Sequence, residues 1–234
     1  MIIFDTEAHT YTDAIGRNYE SVTRFINRFV PQFDFEDKSK KYASKYGMDV
    51  EEVRKDWKSK NKSSTDFGTK VHALIEEAIK DNVIVPGEFF NIVKSMYDEV
   101  QLNYKGKYLT ETIVYNTEHQ IAGMSDLIID SENSFSLIDF KTNKQIKYTN
   151  DFEDKNLLKP IKHLPNSEYF KYSLQLSFYA YFYSLQTGKQ LDRLAFYWLK
   201  RKNAKDYTSL SDCSWVRYNA PYLKEEVIQC LNHV

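Results

Sequence analysis

The stretch Gly123–Lys144, GMSDLIIDSENSFSLIDFKTNK, decides how the rest of the chain is read. Two runs rich in β-branched and apolar residues flank the polar segment SENS, which is the pattern of an antiparallel hairpin. Side chains alternate along a strand, so Phe135, Leu137, Asp139 and Lys141 share one face, while Ile138 and Phe140 share the other. With a four-residue turn over Ser131 to Ser134, Asp130 faces Phe135 and, counting back, Asp126 faces Asp139. Directly opposed Cβ atoms lie about 4.5–5.5 Å apart, and like charges at that separation destabilise a sheet. Something positive belongs between them. A hard divalent cation meets the need, because two carboxylates and the Phe140 backbone carbonyl supply oxygen ligands and water fills the remainder. Lys141 would then stand beside the bound water, orienting it or, with its pKa lowered by desolvation and the cation, taking its proton. The competing reading is a surface hairpin with ordinary charges, since a D-x-K triplet is common by chance.

Upstream, Thr65 or Asp66 is placed to cap FGTKVHALIEEAIK, in which Phe67, Val71, Leu74, Ile75 and Ala78 fall on one helical face. His72 lies at the edge of that stripe, and Glu76 follows one turn later on the same side. A packed, hydrogen-bonded histidine and a metal ligand are the two readings of His72. For Glu76, solvent is favoured over a second metal reached through water. Gly68 falls on the packing face, where a missing side chain permits close approach. Downstream, SEYFKYSLQLSFYAYFYSLQTG is a long aromatic helix ending at Gly188. Tyr172, Gln175 and Tyr179 stand at i, i+3 and i+7 on it and form a stripe. Such a stripe is ordinarily core, and Gln175 is its polar exception.

The remaining elements follow from local signals. Two β-prone runs around AIGRN predict an N-terminal hairpin, followed by a helix that Ser21 or Thr23 caps. Residues Asp34 to Thr65 are charged and Lys-rich, with helical spacing in VEEVRKDWKSK, and predict a helical excursion. A second helix is expected around EFFNIVKSMYDEVQLNY, and strands at KYLTETIVYN, QIAGMSDLIID, FSLIDFKT and LDRLAFYWLKR. Asn143 to Ser167 reads as a Lys-containing loop broken at Pro160 and Pro165. PYLKEEVIQCLNHV reads as a C-terminal helix with Pro221 near its first turn. This order predicts an α/β fold, a mixed central sheet flanked by helices, in a single domain spanning 1–234.

Composition bounds the function classes. Aromatic residues make up 15% of the chain while Gly and Pro are scarce, as expected of an ordered globular protein. The formal net charge of −1 excludes a uniformly basic surface but leaves room for a basic face. Two cysteines, Cys213 and Cys230, supply neither a disulfide framework nor a four-thiolate zinc or iron–sulfur site. No apolar run approaches the roughly 20 residues of a membrane helix, and nothing at the start reads as a signal peptide. A reducing cytoplasm is the expected compartment.

Taken in order, GTKVH, GMSD, DFK thirteen positions after Asp126, and Q-x-x-x-Y at Gln175 to Tyr179 resemble the PD-(D/E)xK nuclease superfamily. The likeness is to its RecB-like branch, including the lambda exonuclease-like and mitochondrial genome maintenance exonuclease-like proteins. It runs from His72 to Tyr179, and Ser21 to Thr23 also look like the start of the mitochondrial type. The resemblance implies a restriction-endonuclease-like core and a metal-dependent phosphodiesterase site. It further implies that Asp126 and Asp139 ligate Mg2+ or Mn2+, that Phe140 adds its carbonyl, and that Lys141 acts on the attacking water. His72 matches the branch's extra metal ligand. Gln175 and Tyr179 match the helix that lines the site and contacts the DNA backbone, with Tyr172 and Thr142 expected beside them as DNA-binding positions. Glu111 is similar in placement to an acidic residue that some relatives use near the metal. Ser125-Asp126 lacks the proline of the superfamily's name, and the four-cysteine cluster of the iron–sulfur relatives is absent.

A DNA exonuclease of recombination, repair or replication is the function this implies, with phage or mobile-element origin suggested by a stand-alone nuclease domain. A structure- or sequence-specific endonuclease on the same core, and a catalytically silent DNA-binding subunit of a recombination complex, are the alternatives. Lysines of SKKYASKYG and KTNKQIKYTN would hold phosphates while Tyr or Trp57 stack on exposed bases, unless these are simply solvated charged segments. Two assemblies stay open: a cyclic homo-oligomer that threads DNA, or a monomer with a helical arch built from 33–65. A recombination or replication protein is the partner class implied.

Overall fold

A computed structural model describes residues 2–6, 8, 10–150, 155–201 and 213–233. Among the described residues the chain forms eight strands and six α-helices. Strands β1 (Ile2–Asp5), β2 (Thr10–Asp13) and β3 (Asn18–Ser21) make an antiparallel N-terminal meander. The turn between β2 and β3 places Gly16 at φ 81°, a left-handed conformation that costs glycine nothing. The expected hairpin is therefore present, extended by a third strand. Ser21 caps α1 (Val22–Asn27) as anticipated, its hydroxyl accepting from the Arg24 N–H at 3.2 Å.

The excursion consists of α2 (Phe35–Tyr46) and the first half of α3 (Val50–Asp81). Here the structure corrects the expected helix start at Thr65 or Asp66. Helix α3 runs unbroken for 32 residues, and its cap is Asp49, which accepts from the Glu51 and Glu52 N–H groups. The Thr65 hydroxyl bonds back to the Asn61 carbonyl at 3.0 Å, the bond of a threonine inside a helix. No glycine or proline interrupts the chain between Asp49 and Gly68, so cap-forming residue types alone do not end the helix.

Helix α4 (Phe90–Asn103) leads into β4 (Lys107–Asn116), β5 (Ile121–Asp130) and β6 (Ser134–Lys141), close to the three anticipated strands. Helix α5 (Glu168–Thr187) is capped by Ser167 and closed by Gly188 at φ 73°. Strand β7 (Gln190–Arg201) pairs parallel to β6, and β8 (Cys213–Asn219), which the sequence did not reveal, pairs antiparallel to β7. Helix α6 begins at Lys224, so Pro221 precedes it by three residues instead of sitting in its first turn. The loop of 143–167 carries one isolated bridge, Asn156 to Pro165, among its described residues; positions 151–154 of the expected Lys-containing loop lie outside them.

The sheet runs β1-β2-β3-β5-β6-β7-β8, with β4 pairing β5. It is a mixed sheet flanked by helices, as expected. Helices α1, α5 and α6 cover one face, where Phe135, Leu137, Phe178, Phe182 and Phe196 are almost wholly buried. Helices α3 and α4 cover the other, against Leu127, Ile129, Ile138 and Tyr197. Fully burying one such Leu or Ile side chain contributes roughly 1.5–3 kcal/mol, so this alternation fixes which way the hairpin faces.

One topological detail positions the site. Strand β4 pairs with β5 along its whole length, so β3 and β6 must share the opposite edge. Strand β3 pairs at Ile121 and Ala122, and β6 pairs from Leu127 to Asp130. Between them, residues 123–126 lie where the sheet splits, and Asp126 stands at the mouth of that split.

Candidate active site

The hairpin register is the one that a four-residue turn dictates. Asp130 pairs with Phe135 and Leu127 with Ile138, and the same count brings Asp126 to the level of Asp139. Beyond Ile138, β6 leaves β5 while staying paired with β7 as far as Lys141 and Trp198. The Phe140 N–H there donates to Asp126 Oδ2 at 2.8 Å, so a carboxylate takes over from the backbone ladder.

Asp139 is 4% exposed and lies on the face of Leu137 and Lys141. Its Oδ2 is 2.7 Å from Lys141 Nζ, an ion-pair contact outside hydrogen-bonding angles, which leaves that oxygen without a hydrogen bond among the described residues. His72 Nδ1 approaches Asp126 Oδ2 at 3.4 Å, its ring edge-on to Phe140. Thus α3 does deliver His72 to the paired carboxylates. Glu76 is half-buried, not turned fully to solvent, and lines a shallow cleft with Gly68, Thr69, His72 and Glu111. Glu111 occupies the β4 position opposite Asp126, between the Thr110–Leu127 and Thr112–Ser125 pairs, with φ 46°. A left-handed glutamate costs on the order of 1–2 kcal/mol, a strain of the kind that clusters at functional sites.

Helix α5 contributes the third side. Lys141 Nζ donates to Gln175 Oε1 at 3.2 Å and lies 4.5 Å from the centroid of the Tyr172 ring. Gln175 Nε2 donates to the Tyr179 hydroxyl at 2.9 Å and to Thr23 Oγ1 at 3.3 Å. Tyr179 is 4% exposed, its ring lying over Gly123, where an added Cβ would stand 2.4 Å from Cε1. Thr142 is also buried, packed so closely on Gly68 that a Cβ there would meet its Oγ1 at 2.8 Å. Both side chains therefore point into the protein, where they support the site instead of facing out toward a substrate. Gly68 has the close-approach role expected of it. Thr23 was read only as a cap and part of a resemblance; its bond to Gln175 spans 152 residues of sequence, and no local pattern signals it.

The charges compensate one another. Burial favours protonation of Asp126, but His72, Lys141 and the Phe140 N–H outweigh it and hold Asp126 below the usual carboxylate range. Burial dominates at Asp139, which is pushed up to about 6 despite Lys141. Burial likewise opposes charge on His72 and Lys141. Asp126 outweighs it at His72, and Asp139, Tyr172 and Asp126 outweigh it at Lys141, so both stay above their ordinary values. With Asp139 beside it, the ammonium form of Lys141 is favoured at the ion-free site, whereas the expected lowering was tied to a bound cation. Glu111 is raised by partial withdrawal from water, then by Asp126 and Glu76.

Among the described residues no group of three His, Cys, Asp or Glu side chains is gathered at metal-holding spacing. The donor types nonetheless suit a hard divalent ion: two carboxylates, one with an oxygen that accepts no hydrogen bond, and an imidazole beside them. In this arrangement His72 and Lys141 supply the positive charge that the paired carboxylates require.

Fold and site together define a mixed-sheet α/β protein with a carboxylate–lysine centre at a split in the sheet. No family model and no curated protein matches the chain. Among solved structures, a provisionally assigned exonuclease from Eubacterium rectale aligns at 10% identity and TM-score 0.39, over 92% of this chain and 77% of its own. The protein SSO0001 aligns at 15% identity and TM-score 0.31, over 61% of this chain and 55% of its own. Among the described residues no helix is long and apolar enough to cross a membrane.

Proposed function

We propose that the protein is a divalent-metal-dependent deoxyribonuclease of the PD-(D/E)xK superfamily, RecB-like branch, hydrolysing phosphodiester bonds from a DNA end in recombination, repair or replication. The observation that carries this reading is the placing of Asp126, one position past the last β5–β6 pair and bonded to the Phe140 N–H, beside buried Asp139 with Lys141 2.7 Å from it. Two carboxylates and a lysine, half-enclosed at a strand split, are the parts of a hydrolytic centre.

Asp126, Asp139 and His72, with the Phe140 carbonyl, would hold the Mg2+ or Mn2+. That ion would supply Lewis-acid stabilisation of phosphate charge and an activated water. Lys141 donates to Gln175 at the ion-free site and is placed to hold a phosphate oxygen, to orient the water or, beside a bound cation, to take its proton. Gln175 fixes the lysine through its Oε1, and Thr23 and Tyr179 fix the amide. Tyr172 limits the space on the far side of Lys141. The DNA contacts expected of Tyr179 and Thr142 become supporting roles in this account, because both side chains are buried.

The test is cleavage of end-labelled linear DNA and of a covalently closed circle with Mg2+, Mn2+ or EDTA, comparing the protein with Lys141→Ala. Metal-dependent loss of linear DNA alone, abolished in the variant, is the expected result. Cutting of the circle would instead make it an endonuclease. No cleavage with either metal would refute the enzyme.

A further inference from the structure

The excursion carries a cluster of rings. Trp57 of α3 lies 6.3 Å from Phe33, 5.8 Å from Phe35 and 5.5 Å from Tyr42, and Tyr46 stands 4.6 Å from Tyr42. Packing of α2 on α3 accounts for Phe35 and Trp57, both half-buried. It does not account for Phe33, Tyr46 and Tyr42, which are 64%, 56% and 42% exposed. Lys45 Nζ lies 5.4 Å from the Tyr46 ring and Lys58 Nζ 5.8 Å from the Phe35 ring, so ammonium groups border the aromatic surface. Exposed apolar groups gathered in this way mark an interaction surface.

The continuity of α3 ties that surface to the carboxylates. Trp57 and His72 lie on one unbroken helix. Their separation of fifteen residues is about 22 Å along the axis and about 60° around it, so both face the same side. The helix face between them presents Asn61, Ser64 and Gly68, exposed or half-exposed and without a carboxylate. Asp56 and Asp66 project away from this track, at about 100° and 180° from Trp57. A polyanion can follow it from Trp57 as far as Gly68 without meeting a carboxylate; beyond that, His72 shares its cleft with Glu76 and Glu111.

We propose that the ring cluster is a stacking platform for single-stranded DNA, holding the strand about 22 Å along α3 from His72. Rings bordered by ammonium groups match unpaired bases on a phosphate backbone, whereas a duplex buries its base faces. This rests on the nuclease reading for the strand's destination, but not for its binding.

The test is binding in EDTA, where cleavage does not interfere, of labelled single strands of about 20 and about four nucleotides and of a duplex of about 20 base pairs. The variant is Phe33→Ala with Tyr46→Ala, two exposed positions outside the catalytic machinery whose removal leaves the α2–α3 contact in place. Each lost stack is worth about 1–3 kcal/mol, so the long single strand should bind at least about tenfold more weakly. The four-nucleotide strand, long enough for the rings alone, should weaken likewise, and the duplex should bind as before. Quenching of tryptophan emission by the long strand, absent in Trp57→Phe, is the second expected signature. Unchanged long-strand affinity, or an equal loss for the duplex, would overturn the platform and leave the surface to a protein partner. Long-strand binding that needs the two rings, without cleavage under any metal, would remove the nuclease and keep the platform. Metal-dependent cleavage with binding indifferent to the rings would do the reverse.

Discussion

Replacing Gly123 by alanine tests the architecture of the site without touching a charged group. The new Cβ would stand 2.4 Å from Tyr179 Cε1, 3.2 Å from its Cζ and 3.2 Å from Val22 Cγ2. Ordinary carbon contacts begin near 3.4 Å, so the ring must retreat by about 1 Å and Val22 must give as well. Tyr179 is 4% exposed and Val22 fully buried, so no solvent-facing freedom absorbs the displacement. Overpacking of this kind costs about 1–3 kcal/mol. Weakening the hydrogen bond from Gln175 adds about 1 kcal/mol. The assay is urea denaturation, in which the midpoint falls at unchanged slope, or a Tm lowered by roughly 2–4 °C per kcal/mol for a chain of this size. Adding Tyr179→Leu should recover part of the loss, a non-additivity expected only of residues in contact. A Gly123→Ala protein within about 0.5 kcal/mol of the parent, with no coupling to Tyr179, would refute the close approach and with it the route by which Tyr179 holds Gln175.

Three further outcomes follow from particular contacts. Lys141→Ala should reduce DNA cleavage by on the order of 10²–10³-fold, as for loss of a preorganised charge donor, and Lys141→Arg should not restore it; turnover near the parent value would remove Lys141 from the mechanism. Asp49→Ala deletes the cap that accepts from Glu51 and Glu52, so it should cost about 1 kcal/mol in urea denaturation. An unchanged midpoint would show that α3 does not depend on that cap. The Cys230 thiol is wholly buried and, first through burial and then through Glu226, pushed up to about 12. It should therefore resist alkylation at pH 8 in the native protein and react on unfolding. Rapid labelling of Cys230 by mass spectrometry under native conditions would contradict its burial.

Much of the site was legible because its signals are local. Strand alternation and a four-residue turn suffice to oppose Asp126 to Asp139 and align Lys141 with the latter, and β5 and β6 pair in that register. The stripe of Tyr172, Gln175 and Tyr179 follows from helical period alone, as does the nearness of Glu76 to His72. Boundaries were less legible where residue type carries no unique meaning. Thr65 and Asp66 resemble a cap, yet lie inside α3 because the helix that Asp49 starts continues through them. Strand β8 has weak alternation and half-exposed residues, so its identity comes from pairing with β7.

By itself, then, the sequence determined the α/β class, the hairpin and its register, and the set of residues to examine, because each depends on periods and turns within a few residues. Only the tertiary structure decided that β3 and β6 share one edge of β5 and leave Asp126 at the split between them. It also decided that Thr23 reaches Gln175 and that Tyr179 and Thr142 turn inward. It further decided that Asp139 and Asp126 raise the Lys141 pKa at the ion-free site, because a pKa depends on which charges surround a buried group and not on that group's neighbours in sequence.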